Sequence, residues 1–480
     1  MTSAFRRREQ DNAGPPQVVL PPSGGGLGNA QTTGPFKILA VAYGGGHIAM
    51  VLPVLRALRE RRPDLDIILL ALTTAARVAR DAGENPLGYA DLLALLSPEE
   101  QTEALELGRA LQPSNTHPDI PDAETVAYLG INAWDLQQQL GPETAQTRLR
   151  DKGRQGFYPL TLFRRVLARF QPDLVLTTNS PRSEQAVVDT AAESGIASLA
   201  MLDLFGLPGD AFAARARHPS RVCVLSQAVR DNLIQAGWPP ECIAVTGNPA
   251  FDAINAPQTR AVGLAWRASL GAPPRRLVLL ALQPEPAAHP ASPGRQGDPQ
   301  LPERVLQACI DSVRQHPDWM LIVRPHPSQS LPALADDPQL RLSTSAEPLH
   351  PLLHAVDAVI TGTSTVALEA HLAGRRVLQL LDSIAAPAMP YLALGVADAA
   401  CHLSDLPQTL ADLLAQPEPD HVAANADPAA GPSQGGVSPL GRPRGQSPSV
   451  RALHTAADRV AEQVLALLAA HPRPISLPQR

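Results

Sequence analysis

Two short segments in the last third of the chain carry residue types suited to holding an anion. Arg324-Pro325-His326-Pro327 sets a guanidinium and an imidazole in a turn stiffened by two prolines. Thr361-Gly362-Thr363-Ser364-Thr365 offers hydroxyls and lightly covered backbone N–H groups. Each segment follows an apolar, strand-like run, residues 319–323 and 357–360. In an open parallel sheet, ligands gather beyond the carboxyl ends of the strands. A helix starting after Thr365 would add unbonded N–H groups and the positive end of its dipole. The chemistry these residues suit is phosphate binding, and with it the binding of a nucleotide.

A third segment lies near the start of the chain. Tyr43-Gly44-Gly45-Gly46-His47 follows the apolar run 36–42 and precedes a helical pattern. Three glycines let the backbone turn sharply and approach a ligand closely. Gly44, Gly45 and Gly46 do not form a trustworthy dinucleotide fingerprint, and no Gly-Lys-Ser/Thr follows to make a P-loop. His47 stands at the predicted helix start, where an imidazole of ordinary pKa would suit a general base. Asp203, at the end of the run 197–202, is a second candidate, and Glu184, just past the loop 177–182, a third. Each also has a plain structural explanation. His47 could bond a loop carbonyl, Asp203 could cap a turn, and Glu184 could sit in a first helical turn that favours acids.

These residues need elements to position them. Apolar runs recur at 36–42, 66–72, 173–177, 197–202, 221–225 and 242–245, and again at 276–282, 319–323, 357–360 and 376–380. Near-continuous apolar runs separated by amphipathic helices predict parallel sheets covered on both faces. One such helix puts Ile48, Val51, Leu52, Leu55 and Leu58 on a single face, with Pro53 inside it as a predicted kink. The plan restarts after Gly247-Asn248-Pro249. The fold class expected is α/β, with two doubly wound domains, 36–248 and 249–416, facing a cleft. Residues 1–35 are expected to be a disordered tail, 284–302 a loop and 417–450 a Pro/Gly/Ser-rich linker. A final helix, within 451–470, carries an apolar stripe and is expected to pack back on the first domain.

Composition narrows the classes further. A formal net charge of -6 supplies no global basic field, which argues against a nucleic-acid partner. Four scattered cysteines without C-x-x-C spacing read as apolar residues in a reducing compartment. No apolar run approaches the ~18 residues of a membrane span. The basic cluster within residues 1–8 is followed by Glu9-Gln10-Asp11-Asn12, not by an apolar signal core, so a cytoplasmic location is expected. Residues 148–170 interleave seven basic side chains with Phe157, Tyr158, Phe163 and Phe170. Such a surface could rest peripherally on anionic lipid at the inner face of the membrane; an ordinary helix with a basic outer face is the alternative.

Taken together, the Gly-Gly-Gly-His corner, Val245-Thr246-Gly247-Asn248-Pro249, Arg-Pro-His-Pro and the stretch from Thr361 to Ala370 resemble the GT-B glycosyltransferase superfamily. The nearest flavour is the group with UDP-N-acetylglucosamine 2-epimerases, CDP-glycerol glycerophosphotransferases and capsule polysaccharide synthesis proteins. The Gly-Gly-His corner is also similar to the glycosyltransferase that makes lipid II. The resemblance covers roughly residues 36–415. It implies that Arg324 and His326 contact donor phosphates, and that Thr361, Gly362, Thr363, Ser364 and Thr365 cradle the diphosphate. It implies that Glu369 holds the ribose hydroxyls, and that neither a metal nor a separate cofactor is needed beyond a nucleotide-sugar donor, UDP-linked. The chain lacks the Arg-Pro-Glu of the epimerases near its first strand, and it has Gly-Thr-Ser-Thr where the glycerophosphotransferases have Asp-Tyr-Ser-Ser. Sugar transfer to a cell-envelope glycan or lipid is the activity this leaves foremost. An epimerase, a polyol-phosphate transferase and a non-catalytic nucleotide binder are the alternatives.

Overall fold

The computed structural model describes residues 35–471, apart from 115–116, 118, 208–209, 271–275, 289–293, 327–328, 330–336, 345–346 and 417–454. The tail 1–34, Pro327 and the stretch read as a linker lie outside the described residues. The apolar runs form two six-stranded, wholly parallel sheets. The first contains β1 (Lys37–Tyr43), β2 (Asp66–Leu72), β3 (Leu174–Thr177), β4 (Ala197–Met201), β5 (Arg221–Val224) and β6 (Ile243–Val245), in the order β2-β1-β3-β4-β5-β6. The second contains β7 (Arg276–Ala281), β8 (Trp319–Arg324), β9 (Leu340–Leu342), β10 (Ala358–Thr361), β11 (Arg376–Leu380) and β12 (Ala399–Cys401), in the order β12-β11-β10-β7-β8-β9.

Both faces of each sheet are buried, so alternation is lost and the strands read as continuous apolar runs. One face of the first sheet packs Ile38 and Ala40 against Val51, Leu55 and Leu58 of the helix Gly45–Arg61, which continues through Pro53. The helix Ala456–Ala470 completes that layer with Val460, Val464, Leu467 and Leu468. Each such side chain contributes about 1.5–3 kcal/mol of burial. The N-terminal end of this last helix is held by Asp252, which accepts from the N–H groups of Ala456 and Ala457 at 2.8 and 2.9 Å. The opposite face of the sheet packs Leu39, Val41 and Val175 against Tyr128 and Trp134 of the helix Asp122–Leu140. A single apolar cluster joins the two sheets, running from Ala200 and Val222 to Leu277 and Val359.

Sheet order decides where a site can form. In each sheet the winding reverses between two neighbouring strands, β1 and β3 in the first, β7 and β10 in the second. The loops leaving two such strands part to opposite faces and open a crevice at their carboxyl ends.

Candidate functional site

Three residues named as proton-transfer candidates converge beyond the adjacent strands β1, β3 and β4. His47 lies in the first turn of the helix Gly45–Arg61, after a corner in which Gly44 has φ +92°, a conformation that favours glycine. Its Nδ1 is 3.3 Å from Oε1 of Glu184, and its Nε2 is 3.4 Å from Oδ2 of Asp203. The imidazole is thus bracketed by two carboxylates. Burial opposes its charge, but the carboxylates of Glu184 and Asp203 outweigh that and raise the His47 pKa to about 10. At neutral pH the ring is an imidazolium donating from both nitrogens. This differs from the ordinary near-neutral value that the residue type alone suggests.

The two carboxylates are not equivalent. Glu184 is fully buried at the start of the helix Ser183–Glu193. Its Oε1 accepts from the N–H of Tyr43 at 2.6 Å, and its Oε2 accepts from the N–H groups of Thr178 and Ser180 at 2.9 and 3.2 Å. The Thr178 hydroxyl adds a fourth donor at 2.5 Å. Glu184 therefore ties the corner after β1 to the loop after β3 and aims His47. Asp203 is 27% exposed, and its Oδ1 has no hydrogen-bond partner within the protein. That oxygen is enclosed by the protein, so Asp203 is the member of the trio with an unsatisfied acceptor. Gly45 is held by its N–H on Thr74 Oγ1 at 3.1 Å, and a Cβ on Gly46 would meet no atom within 4 Å.

A second crevice lies beyond the second sheet, lined by Gln283, Glu285, Thr361, Gly362, Thr363 and Asp382. Gln283 Oε1, just past β7, accepts from the N–H and hydroxyl of Thr363 at 2.9 and 3.2 Å. Thr361 is buried and donates to Ala281 O, Ser364 Oγ accepts from Val366 N–H, and Thr365 caps the short helix Val366–Leu372 by position alone. Glu369 pairs through Oε2 with His350 Nε2 at 3.0 Å. Arg324 turns its Nη1 inward, onto Ser343 Oγ, Thr344 O and Glu347 O at 3.0, 3.1 and 2.9 Å. Its guanidinium thus holds the loop after β9, a use its place after a strand does not reveal. His326 follows Arg324 and Pro325 beyond β8, and its N–H reaches Gln329 Oε1 at 3.3 Å.

The two crevices are physically linked. The Tyr391 hydroxyl donates to Thr363 O and Ser364 O at 3.1 and 2.9 Å, and its ring meets Phe205, two residues past Asp203. Gln283, His350, Phe205 and Tyr391 were not singled out from the sequence. Only Gln283 carried a signal, its place directly after a strand.

The segment 148–170 has a different arrangement from a lipid-facing surface. Phe157 and Phe163 are buried, Phe170 packs against the same cluster, and the Tyr158 hydroxyl donates to Asp189. Arg164 and Arg165 pair with Glu193 and Glu100. The aromatic half of the pattern is spent on the core. No described helix is long and apolar enough to cross a membrane. Among the described residues, no cluster of three or more His, Cys, Asp or Glu side chains is arranged to hold a metal.

No family model matches the chain, and no curated protein matches it. Solved structures do share its architecture. The UDP-GlcNAc 2-epimerase of Neisseria meningitidis, bound to UDP-GlcNAc, is 14% identical with a TM-score of 0.54, over 90% of this chain and 100% of that one. The S. aureus MnaA–UDP structure is 13% identical with a TM-score of 0.53, over 92% and 100% of the two chains. A glycotransferase of kitacinnamycin is 14% identical with a TM-score of 0.50, over 90% and 99%. Two wholly parallel, doubly wound sheets in one continuous body, matched along nine-tenths of the chain by such structures, give this protein the GT-B fold.

Proposed function

We propose that this chain is a nucleotide-sugar-dependent glycosyltransferase, taking a UDP-linked donor and acting on a hydroxyl of a cell-envelope glycan or lipid. The observation that carries the reading is His47 held between Glu184 and Asp203 at the carboxyl edge of the first sheet. A trio of this kind suits deprotonation of a hydroxyl next to developing negative charge.

In this reading Asp203 accepts the proton of the acceptor hydroxyl. The acceptor oxygen then forms a bond to the anomeric carbon of the donor sugar. The bond from that carbon to the diphosphate oxygen breaks, and its electron pair leaves with the nucleoside diphosphate. His47, as an imidazolium, holds the Asp203 carboxylate in place and offsets the negative charge that gathers on the leaving diphosphate, and Glu184 is a positioning residue. Thr361, Gly362, Thr363, Ser364 and Thr365 receive the diphosphate with His326, Glu369 receives the ribose, and Arg324 shapes the adjoining loop. Helix ends and cations can stabilise such a leaving group without a metal. The named ligands of the structural neighbours, UDP-GlcNAc and UDP, agree with a uridine nucleotide here.

The test is thermal unfolding of the full chain against UDP, CDP, GDP and CMP, with Gly362→Asp as the comparison. A Cβ at Gly362 would meet only ordinary van der Waals contacts, Leu380 O at 3.8 Å and Gln283 Oε1 at 4.0 Å, and the variant adds a negative charge to the loop. A ligand at ~100 times its Kd adds roughly 2.7 kcal/mol of stability. Stabilisation by UDP that Gly362→Asp abolishes is the expected result. No stabilisation by any nucleotide would overturn the reading.

A further inference from the structure

Arg182 borders the corner that leads to His47, and the proposed chemistry leaves it unused. It closes the loop after β3, directly before the helix Ser183–Glu193. Its guanidinium carbon lies 4.8 Å from the centroid of the Tyr43 ring. Tyr43 is the last residue of β1, and its N–H is bonded to Glu184, the residue that aims His47. Arg182 therefore stands over the ring of the residue whose backbone N–H holds Glu184. The ring itself is fixed, since Tyr43 Oη donates to Tyr128 Oη at 3.0 Å, and Tyr128 packs edge-on against Phe157.

Arg182 Nε is shielded from solvent and has no hydrogen-bond partner within the protein. Its Nη1 makes a single long bond, 3.3 Å, to the neutral Gln155. Arg164, Arg165 and Arg215 of the same half of the chain do meet carboxylates, and the Nε of Arg215 is enclosed without a partner as well. Arg148 borders the same turn, Gly153–Gly156, where its Cγ lies 3.1 Å from where a Cβ on Gly156 would stand. Its Nε is likewise enclosed without a partner. A guanidinium presents a planar fork of donors that matches a phosphate, and desolvation strengthens such a contact. Leaving the fork unmatched beside a reactive corner costs stability that a bound anion would return.

We infer that Arg182 recognises a phosphate group on the acceptor, assisted by Arg148, so that the acceptor is a phosphorylated glycan precursor or a phosphate-bearing lipid. This rests on the transferase reading of the same corner, and it adds to it the charge class of the second substrate. The phosphate would then lie at the corner that carries Tyr43 and His47.

The experiment titrates inorganic phosphate into the full chain carrying Gly362→Asp, which removes the nucleotide-side anion loop from the measurement. Adding Arg182→Gln is expected to weaken phosphate binding at least about tenfold, the loss typical of a charged hydrogen-bonding fork. Arg182→Lys, which keeps the charge and loses the fork, should fall between, and its unfolding midpoint checks that the fold persists. Arg150→Gln, on an exposed arginine paired with Asp151, should leave binding unchanged. Phosphatidylcholine vesicles with and without phosphatidic acid form the second arm. Capture by the acidic vesicles that Arg182→Gln abolishes assigns the phosphate to a lipid, and a response to soluble phosphate alone assigns it to a water-soluble acceptor. Phosphate binding that is absent from the Gly362→Asp parent, or unchanged by Arg182→Gln, would overturn the inference. Failure of UDP to bind the unmodified chain would sink the donor reading and leave this measurement standing.

Discussion

The rings of Phe205 and Tyr391 meet edge-on, with centroids 6.0 Å apart and planes at 74°. This contact joins the loop that carries Asp203 to the hydroxyl-rich loop after β10, because the Tyr391 hydroxyl donates to Thr363 O and Ser364 O. The edge-to-face geometry lets the ring quadrupoles attract. A movement of either loop is therefore felt by the other.

Tyr391→Phe keeps the ring and removes both hydrogen bonds. Tyr391 is fully buried, so two carbonyls are left wanting and the cost is about 1–2 kcal/mol. Urea unfolding should read that loss, and steady-state kinetics should show a higher donor KM with kcat less affected. An unchanged KM would show that the loop is held without the hydroxyl.

His47 makes stability depend on pH in a defined direction. Its folded pKa, about 10, lies above its ordinary value of 6.5. The stability this supplies is complete below pH 6.5 and is lost as pH rises through about 10. Its size is on the order of 3–5 kcal/mol. Urea midpoints measured from pH 6 to pH 10.5 should fall more steeply for the unmodified chain than for His47→Gln. Parallel curves would refute the bracketed imidazolium.

Glu184→Gln exchanges an acceptor-only carboxylate for an amide whose NH2 faces donors. With three backbone N–H groups and a hydroxyl aimed at it, the site cannot satisfy the amide. The expected destabilisation is about 3–5 kcal/mol, as when a buried charge network is broken. The same change should lower the His47 pKa, followed by the imidazole NMR resonances. A shift in stability with no shift in that pKa would separate Glu184 from His47.

Asp203→Asn removes one of the two carboxylates that hold the His47 imidazolium, so part of that stabilisation is lost while the packed core is untouched. Loss of a general base costs about 10²–10⁴ in rate. A cooperative unfolding transition at a somewhat lower midpoint, with kcat down at least 100-fold, is expected. Full activity in this variant would return the role of base to His47.

Much of this arrangement was legible in the sequence, for physical reasons that also set its limits. Ten of the strands were readable because burial on both faces leaves an apolar run such as residues 276–281. β9 and β12 were not, since Leu340-Arg341-Leu342 puts a charged residue in its centre and Ala399-Ala400-Cys401 has only small side chains, so neither leaves an apolar run. His47, Glu184 and Asp203 were found by one rule, that residues just past parallel strands face the crevice. That rule cannot show that β1, β3 and β4 are neighbours, which is what brings the three together. Nor can it show that Arg324 is spent on a loop, or that Glu369 is met by His350. Tyr391 lies far from any strand end, and its role exists only through contacts made by folding.

The central claim is sugar transfer, and product analysis tests it most directly. The full chain is incubated with UDP-GlcNAc and an envelope extract supplying glycan and lipid acceptors, and both nucleotide and sugar are followed by anion-exchange chromatography and NMR. The account predicts acceptor-dependent release of UDP, with the sugar joined to an acceptor through its anomeric carbon, and loss of both in Asp203→Asn. A UDP-sugar recovered intact but inverted at C2, or UDP released without any acceptor product, would contradict it.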